Sequence, residues 1–200
     1  MKIIIFDTET TGLPSTQLEL EKQPHVCQFA AIIYECDGYS LREIRRINHL
    51  IKPPVSIPQE CVYVHGISDE KVANSPSFSE VADIIVEAFH GSDVAVAHNI
   101  SFDEQVIQAE LKRLNYGIDF LPSQTFDTMK ETKELCRLPG RNPGTYKSPR
   151  LLELYQHLFG THFEGAHDAM YDVEATGKCL AALLSKGIFK PQEPVQNQLF

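Results

Sequence analysis

The feature that most constrains the fold is a short segment near the start of the chain, residues 2–6 (KIIIF), which runs directly into Asp7 and Glu9. A largely continuous apolar run of this length predicts a central β-strand that is buried on both faces. Such a strand needs a layer of further elements on each side. The run is shorter than the roughly 7–15 apolar residues of a secretory signal or the roughly 18 of a membrane span. We therefore expect neither a signal peptide nor a membrane anchor.

The rest of the chain alternates between strand and helix patterns. Two further strands, over 26–35 and 43–51, follow after short connections, whereas helical segments separate the later strands near 93–97 and 124–127. Helices are predicted from Ser77 to Gly91, 101–115, 129–136, Ser148 (N-cap, with Pro149 as first helical residue) to Gly160, and 168–186. Short connections favour antiparallel pairing and helical crossovers favour parallel pairing. We therefore expect an α/β fold with a mixed sheet, its first three strands antiparallel and the later ones parallel.

The composition is consistent with a single domain. Two hundred residues, 42% of them hydrophobic, are enough to bury one core. We expect one domain over 1–188 and an extended tail over 189–200. The five cysteines have no CxxC spacing, so neither a disulfide framework nor a structural zinc site is expected. A reducing, cytoplasmic compartment fits this cysteine usage best.

The charge balance restricts how the chain can bind a polyanion. Twenty-seven acidic and 18 basic residues give a net charge of −9. This balance argues against a broad basic surface for nucleic acid, although it does not exclude a local site. Residues 130–150 carry six basic and two acidic side chains. That segment is either an ordinary solvated surface or a stretch that steers a phosphate backbone.

Four carboxylates and one histidine lie at predicted element ends that can converge. Asp7 and Glu9 are two residues apart, so on a strand both side chains point to the same face. Asp103 lies at the start of a helix, where the helix dipole alone would favour it. His167 and Asp172 lie at the start of the last helix, and spacing does not decide whether Asp172 or Asp168 belongs to the site.

Clustered carboxylates repel one another unless cations neutralise them. Divalent ions such as Mg²⁺ prefer oxygen ligands, and a pair of such ions stabilises both oxygens of a phosphoryl displacement. A nearby neutral histidine can accept a proton from the attacking water. The residues therefore indicate metal-assisted phosphodiester hydrolysis, without indicating strand polarity, exonuclease or endonuclease action, or a preference for DNA or RNA.

Four motifs, in this order, resemble those of the DEDDh 3′–5′ exonucleases: FDTETTGL (6–13), VHGIS (64–68), HNISFD (98–103) and HDAMYD (167–172). This family includes the proofreading subunit of bacterial DNA polymerase III, and the similarity covers about residues 1–186. The resemblance implies a ribonuclease-H-like fold with a five-stranded mixed sheet. It also implies release of nucleoside 5′-monophosphates from DNA 3′ ends, single-stranded or frayed, with two Mg²⁺ or Mn²⁺ ions per site. An RNA-trimming exoribonuclease is the alternative, and a non-catalytic nucleic-acid-binding or clamp-tethered scaffold, which would be expected to lack some of these acidic residues, is a third.

The resemblance also implies roles for individual residues. Asp7, Glu9 and Asp172 match the ligands of one metal, with Asp7 bridging to a second that Asp103 supports. His167 matches the general base, and its spacing to Asp172 selects that aspartate over Asp168. The residues that match substrate-binding positions are Thr10, Thr11, Gly12, Leu13, Glu60, His65, Asn99 and Phe102. For Asn99 and Phe102, an ordinary loop residue and a core aromatic remain equally good interpretations.

The last five residues, QNQLF, resemble the peptide that binds the bacterial sliding clamp. In that motif a glutamine and a Leu–Phe pair fill a groove, which here would be Gln196, Leu199 and Phe200. Asn197 departs from the leucine usual at its position, and an incidentally apolar chain terminus is the alternative. If this tail binds a protein partner, the resemblance implies a sliding clamp or a DNA polymerase; a stand-alone enzyme is the alternative.

Overall fold

The apolar run at the start of the chain forms the middle strand of a five-stranded sheet in the computed structural model, which describes residues 1–190. The strands are β1 (Lys2–Thr10), β2 (Val26–Cys36), β3 (Leu41–Leu50), β4 (Val94–Ala97) and β5 (Gln124–Asp127), arranged in the order β3-β2-β1-β4-β5. The first three strands are antiparallel, and β4 and β5 run parallel to β1. The predicted mixed sheet is confirmed.

Helices cover both faces of this sheet. Within the described residues they are α1 (Gln59–His65), α2 (Asp69–Val72), α3 (Phe78–His90), α4 (Ile100–Arg113), α5 (Thr128–Glu131), α6 (Lys133–Cys136), α7 (Leu151–Phe159) and α8 (Ala169–Ser185). Ile4 and Phe6 of β1 pack into one core with α3 and α4, while Ile3 and Ile5 pack into a second core with α8. Because successive side chains of a strand alternate, β1 supplies both cores at once.

β1 is longer than the apolar run predicted. Asp7 and Glu9 remain paired with β2, opposite Ala30 and Gln28, and a bulge interrupts the pairing only between Glu9 and Thr10. On the other side, β4 pairs only with Ile3–Ile5. The acidic residues therefore do not leave the strand; they extend it beyond the end of its parallel neighbour.

The predicted start of the helix after Ser148 is wrong. The helix α7 begins at Leu151, with Arg150 as its N-cap. The carbonyl of Pro149 accepts a hydrogen bond from His98 Nε2 at 3.0 Å, so it is not directed along the helix. The backbone N–H of Arg150 donates to the side chain of Glu153 at 2.7 Å, so the capping interaction of this helix involves Arg150 and not Ser148.

Two further expectations concern membrane spans and the tail. Over residues 1–190, no helix combines the length and hydropathy that crossing a membrane would require.

Phe189 is buried and packs against Phe126, with ring centroids 4.9 Å apart. The part of the chain that packs on the core therefore extends at least to Phe189. The predicted clamp-binding residues Gln196, Leu199 and Phe200 lie outside the described residues.

A buried ion-pair network fixes the segment between β1 and β2. Arg113 of α4 donates to the carbonyls of Leu20 and Gln23 at 2.8 and 2.6 Å, and to Glu110 at 2.9 Å. The second carboxylate oxygen of Glu110 accepts the N–H of Val26 at 3.1 Å. Burial alone would raise the pKa of Glu110, but these partners and His25 bring it below its ordinary value.

We expect Glu110→Gln to lower the free energy of unfolding by about 2–3 kcal/mol at neutral pH, because a buried, charge-assisted network loses its charge. A lowered pKa contributes stability above the unfolded value and loses it as pH falls through the folded value. The difference from the wild type should therefore shrink in acid. Urea unfolding at neutral and acidic pH measures this difference, with Glu87→Gln on the exposed side of α3 as the matched control. Equal effects of the two substitutions would contradict the prediction.

Candidate active site

Three carboxylates meet where β1 extends past β4. Asp7 and Glu9 project from β1 toward the face covered by α8, and Asp172 lies in the first turn of α8. One carboxylate oxygen from each of the three lies within 4.8 Å of the other two. Strand alternation places the first pair side by side, and the packing of α8 on the sheet adds the third.

This cluster fits a divalent cation. Asp172 Oδ1 is buried and has no hydrogen-bond partner among the described residues, which is unusual for a buried polar atom. Carboxylates are acceptors only, and hard cations such as Mg²⁺ and Mn²⁺ prefer oxygen ligands. Asp7, Glu9 and Asp172 therefore fit as ligands of such an ion.

The crowding changes the acidity of all three groups. Burial, reinforced by the charges of Asp172 and Asp103, raises the pKa of Glu9 to about 8. Burial and the neighbouring carboxylates also raise the pKa of Asp7 well above its ordinary value. Burial raises the pKa of Asp172 to about 6, even though the N–H and charge of His167 act in the opposite direction. These carboxylates are therefore costly to ionise without a cation.

Asp103 approaches from the other side of the sheet. One of its carboxylate oxygens accepts both the N–H and the hydroxyl of Thr8, at 2.9 and 2.7 Å. Burial raises the pKa of Asp103 to about 7, although these two bonds oppose the shift. Asp103 does not belong to the three-carboxylate cluster, but its charge contributes to the raised pKa of Asp7. The four predicted carboxylates thus form a trio and a separate neighbour.

Sequence reasoning missed Asp127, which shapes the start of α4. Asp127 Oδ1 accepts the N–H of Asn99 at 3.0 Å and those of Met129 and Lys130 at 3.0 and 3.3 Å. Asn99 has a left-handed backbone, with φ 77°, a conformation that is uncommon for residues other than glycine and that asparagine adopts more readily than most. The sequence signal for Asp127 was its position, since Asp127 ends a strand parallel to β1.

Phe102, which follows Asn99 on α4, is partly buried and packs against the core.

His167 lies exposed at the entrance to α8. Its backbone is left-handed, with φ 71°, and its N–H donates to Asp172 Oδ2 at 3.2 Å. Asp168 instead caps the helix by accepting the N–H of Met170 at 3.0 Å. The tertiary structure therefore separates the two aspartates that spacing left open: Asp168 caps α8, and Asp172 joins the cluster.

A second residue that sequence reasoning missed is Gln28. It lies opposite Glu9 in the sheet and is 2% exposed. Its Oε1 accepts the N–H of Ala169 at 3.3 Å, and its Nε2 donates to Asp168 at 3.4 Å and to Asn48 at 3.1 Å. Gln28 therefore connects β2 to the first turn of α8, directly beside His167. Its signal was a single polar residue within the apolar strand VCQFAAII.

The turn after β1 exposes an apolar side chain next to these groups. Thr10 Oγ1 donates to the carbonyl of Gly12 at 2.7 Å, and Thr11 exchanges two hydrogen bonds with the backbone of His25, at 2.9 and 2.8 Å. Leu13, which follows, is 81% exposed. The turn is thus held from two sides while Leu13 remains free to contact a ligand.

His65 supports this turn from beneath rather than lining the surface. It is buried, its Nε2 donates to the carbonyl of Thr10 at 3.3 Å, and its Nδ1 accepts the N–H of Ile67 at 3.1 Å. Burial lowers the pKa of His65, which favours this neutral tautomer. Glu60, on the first turn of the same helix α1, is exposed.

Comparison with known proteins places this chain in a family. Residues 4–180 match the RNase_T exonuclease family. The PolC-type DNA polymerase III of Oceanobacillus iheyensis is 30% identical over 94% of this chain, which covers 12% of that polymerase. An uncharacterized exonuclease, CP81, of Escherichia phage 186 is 29% identical, over 92% of this chain and 89% of its own length. The chain spans 12–26% of the length of three larger relatives, the PolC-type polymerase among them.

The fold has counterparts among solved structures. The nuclease domain of 3′hExo, a DEDDh family member bound to rAMP, matches with a TM-score of 0.71 at 13% identity, over 95% of this chain and 94% of that one. This likeness shows the ribonuclease-H-like fold. Since the family match covers most of the sequence, this chain belongs to the RNase_T exonuclease family.

Proposed function

We propose that this chain is a metal-dependent 3′–5′ exonuclease that releases nucleoside 5′-monophosphates from the 3′ ends of DNA, in replication proofreading or repair. The observation that carries the proposal is the trio Asp7, Glu9 and Asp172, with an unpartnered buried oxygen on Asp172. Exposed Leu13 and His167 lie on segments that adjoin this trio along the chain. A strand end bound at this edge would meet oxygen ligands for cations, the apolar side chain of Leu13 and the imidazole of His167.

Asp7, Glu9 and Asp172 would hold one Mg²⁺ or Mn²⁺ ion, and Asp103 with Asp7 would support a second. Such ions supply charge neutralisation for the attacking and leaving oxygens of a phosphodiester. Asp103 is oriented by Thr8, whose two hydrogen bonds occupy one carboxylate oxygen and leave the other available. The protein's own contribution is therefore a set of fixed carboxylates whose charges are repulsive until a cation binds.

His167 is the general base of this proposal. As a neutral imidazole it would accept a proton from the attacking water while the water oxygen bonds to phosphorus and the phosphorus–O3′ bond breaks. The terminal nucleotide is released with its 5′-phosphate, and the O3′ of the remaining strand takes a proton from solvent. The N–H of His167 is held by Asp172, which is itself a member of the trio. This bond fixes the backbone of His167 relative to the three carboxylates, while the exposed imidazole remains in contact with solvent.

The turn Thr10–Leu13 would receive the terminal nucleotide, with Leu13 against the base and His65 holding the turn through Thr10. Asn99, Phe102 and Glu60 would lie along the path of the strand. Among the described residues we identify no group that is positioned to contact a 2′-hydroxyl, the group that distinguishes RNA from DNA.

The second candidate function is an exoribonuclease, and the 3′hExo domain bound to rAMP is the observation that favours it. End-labelled DNA and RNA, single- and double-stranded, digested in parallel with Mg²⁺ or Mn²⁺ and resolved by size, would separate the two. Stepwise shortening from the 3′ end supports the proposal, whereas internal cuts or no cleavage would overturn it. A scaffold without catalysis is disfavoured because all four acidic residues are present.

Partner and location are further proposals. PolC-type relatives make a DNA polymerase the expected partner, and a sliding clamp could bind Gln196, Leu199 and Phe200 of the tail. A clamp pull-down with and without residues 196–200 tests the latter, and equal recovery would reject it. A cytoplasmic location is consistent with the absence of disulfide bonds among the five cysteines, all within the described residues.

We expect Asp7→Asn to lower kcat about 10³-fold or more, because several kcal/mol of charge stabilisation depend on the metal ligands. The fold should survive, since the change removes a carboxylate that others repel. Turnover of end-labelled DNA measures the effect, with Asp119→Asn, at an exposed loop position, as the matched control. An Asp7→Asn protein with normal turnover would overturn the site assignment.

We expect the metal-free protein to lose stability as pH rises. The folded pKa values of Glu9, Asp103 and Asp172 are raised, so their favourable contribution is complete below the ordinary carboxylate pKa. It is lost as pH rises through the folded values, between about pH 4 and pH 8.

Melting curves in chelator and in millimolar Mg²⁺ or Mn²⁺ measure this dependence. The metal should raise the melting temperature, and the increase should grow with pH as the carboxylates ionise. Asp7→Asn should melt higher than the wild type in chelator and respond less to metal. Identical curves with and without metal at every pH would contradict the proposed site.

We expect Gln28→Met to lower kcat about tenfold with little change in KM, because the helix turn beside the general base loses its hydrogen bonds. His167→Ala should cost about 10²–10⁴-fold. If Gln28 acts through His167, the double variant should be barely worse than His167→Ala alone. Gln156→Met, on the exposed surface of α7, is the matched control. Multiplicative losses in the double variant would show that Gln28 acts independently.

A further inference from the structure

The segment 137–150 carries four basic residues and no acidic one, in a chain with a net charge of −9. The glycine, proline and asparagine content of residues 137–147 predicts a loop, and the structure has no regular strand in that segment. One isolated antiparallel bridge, between Pro139 and Tyr146, closes the loop into a hairpin, which we call the basic hairpin and define as residues 137–150. Its basic side chains are Arg137, Arg141, Lys147 and Arg150, and all four are exposed.

The turn of the basic hairpin is specified by its sequence. The N–H of Thr145 donates to the carbonyl of Asn142 at 3.1 Å around Pro143 and Gly144, and Gly144 has φ 77°. Proline followed by a left-handed glycine is the pattern of a type II turn. Two more backbone bonds close the hairpin: Gly140 to Thr145 at 2.8 Å and Lys147 to Leu138 at 3.0 Å.

Gly140 is required for this closure. A Cβ at Gly140 would lie 2.4 Å from Thr145 Oγ1 and 2.8 Å from the carbonyl oxygen of Thr145, distances that real Cβ atoms do not show. The two arms of the hairpin therefore pack closer together than any residue other than glycine at position 140 would permit. The basic side chains are carried on a fixed backbone.

The hairpin is attached to the edge of the sheet that carries the candidate site. His98 donates from Nε2 to the carbonyl of Pro149, and its Nδ1 lies 3.0 Å from the hydroxyl of Thr128. His98 directly precedes Asn99, and Thr128 directly follows Asp127, so the base of the hairpin adjoins the start of α4. Leu138 packs with the side chains that join α7 to α8.

The charges of the hairpin are mostly unused within the protein. Lys147 pairs with Glu153, but among residues 1–190 no ion pair involves Arg137, Arg141 or Arg150. Arg150 is the N-cap of α7, a position where the helix dipole favours an acceptor or a negative charge. The carboxylate of Glu153 in the same helix turn offsets this charge, yet Arg150 forms no ion pair within residues 1–190, so its guanidinium remains available to a ligand.

We propose that the basic hairpin binds the phosphate backbone of the strand upstream of the 3′ end that enters the candidate site. This inference rests on the proposed function and adds a second contact to it. Three unpaired guanidinium groups on one rigid hairpin match a polyanion, and arginine is well suited to phosphate. The hairpin would offset the repulsion between an acidic protein and its substrate, so binding should depend on strand length and on salt.

Turnover of two kinds of substrate tests this inference. The p-nitrophenyl ester of thymidine 5′-monophosphate has no upstream phosphates, whereas 20-nucleotide strands of DNA and of RNA do. We compare the wild type with the triple variant Arg137→Gln, Arg141→Gln and Arg150→Gln. The control variant, Lys2→Gln, Arg45→Gln and Lys186→Gln, removes the same charge from exposed positions toward the opposite end of the sheet.

We expect the hairpin variant to raise KM for 20-nucleotide strands about tenfold while hydrolysing the ester normally. The slope of log(kcat/KM) against log[salt] should become shallower by about 2, since each lost phosphate contact on a single strand removes roughly 0.7. The control variant should change both quantities far less. Equal slopes for the two variants, or a matching loss on the ester, would overturn the inference.

A readout without turnover separates this inference from the proposed function. Fluorescence anisotropy of the labelled 20-nucleotide strands in chelator measures binding alone, in DNA and RNA arms. Weaker binding by the hairpin variant than by the control variant in at least one arm supports the inference. Equal binding in both arms rejects it. A wild-type protein that hydrolyses neither ester nor strands would instead reject the proposed function.

Discussion

The interaction on which the candidate site depends is the mutual repulsion of carboxylates that are partly removed from water. Asp7, Glu9 and Asp172 lie close enough for one ion to be shared, and Asp103 adds its charge from the other side of the sheet. Burial lowers the effective dielectric constant, so each charge raises the pKa of its neighbours more than it would in water. A folded chain keeps such a cluster only where the surrounding structure is stable enough to offset it.

That stability comes from the two cores on either side of β1. Even-numbered side chains of the strand pack with α3 and α4, and odd-numbered ones pack with α8. The same alternation continues past the apolar run, so Thr8 faces α4 and binds Asp103, while Asp7 and Glu9 face α8. Because β4 stops pairing at Ile5, the end of β1 is left open to both helices.

Two residues at this edge adopt the left-handed backbone conformation, which is uncommon for residues other than glycine. Asn99 begins α4 and His167 precedes α8, and both have positive φ. Each is held by an aspartate, Asp127 for Asn99 and Asp172 for His167. Strained backbone that persists because neighbours fix it is often found where a site needs a defined geometry. Here it brings the start of each helix to the carboxylates of β1.

Much of the fold could be predicted from the sequence. The apolar run over 2–6 predicted the central strand, and the spacing of later apolar residues predicted α3, α4 and α8 to within a few residues, because periodicity is a local property. The predicted start of α7 was wrong because His98, which is distant in sequence, donates a hydrogen bond to the carbonyl of Pro149. The loop over 137–147 follows from its glycine, proline and asparagine content, but composition does not show that Gly140 and Thr145 close this loop into a hairpin.

The sequence by itself determined which chemical groups are present: a pair of carboxylates on one strand face, two more at helix starts, a histidine and a segment of unbalanced positive charge. These follow from residue types and from the two-residue period of a strand. Only the tertiary structure decided that Asp172 rather than Asp168 joins the trio, that Asp103 lies apart on Thr8, and that Gln28 and Asp127 belong to the same edge. The physical reason is that these relations are contacts between elements up to 141 residues apart, which the packing of helices on the sheet creates and no local pattern encodes.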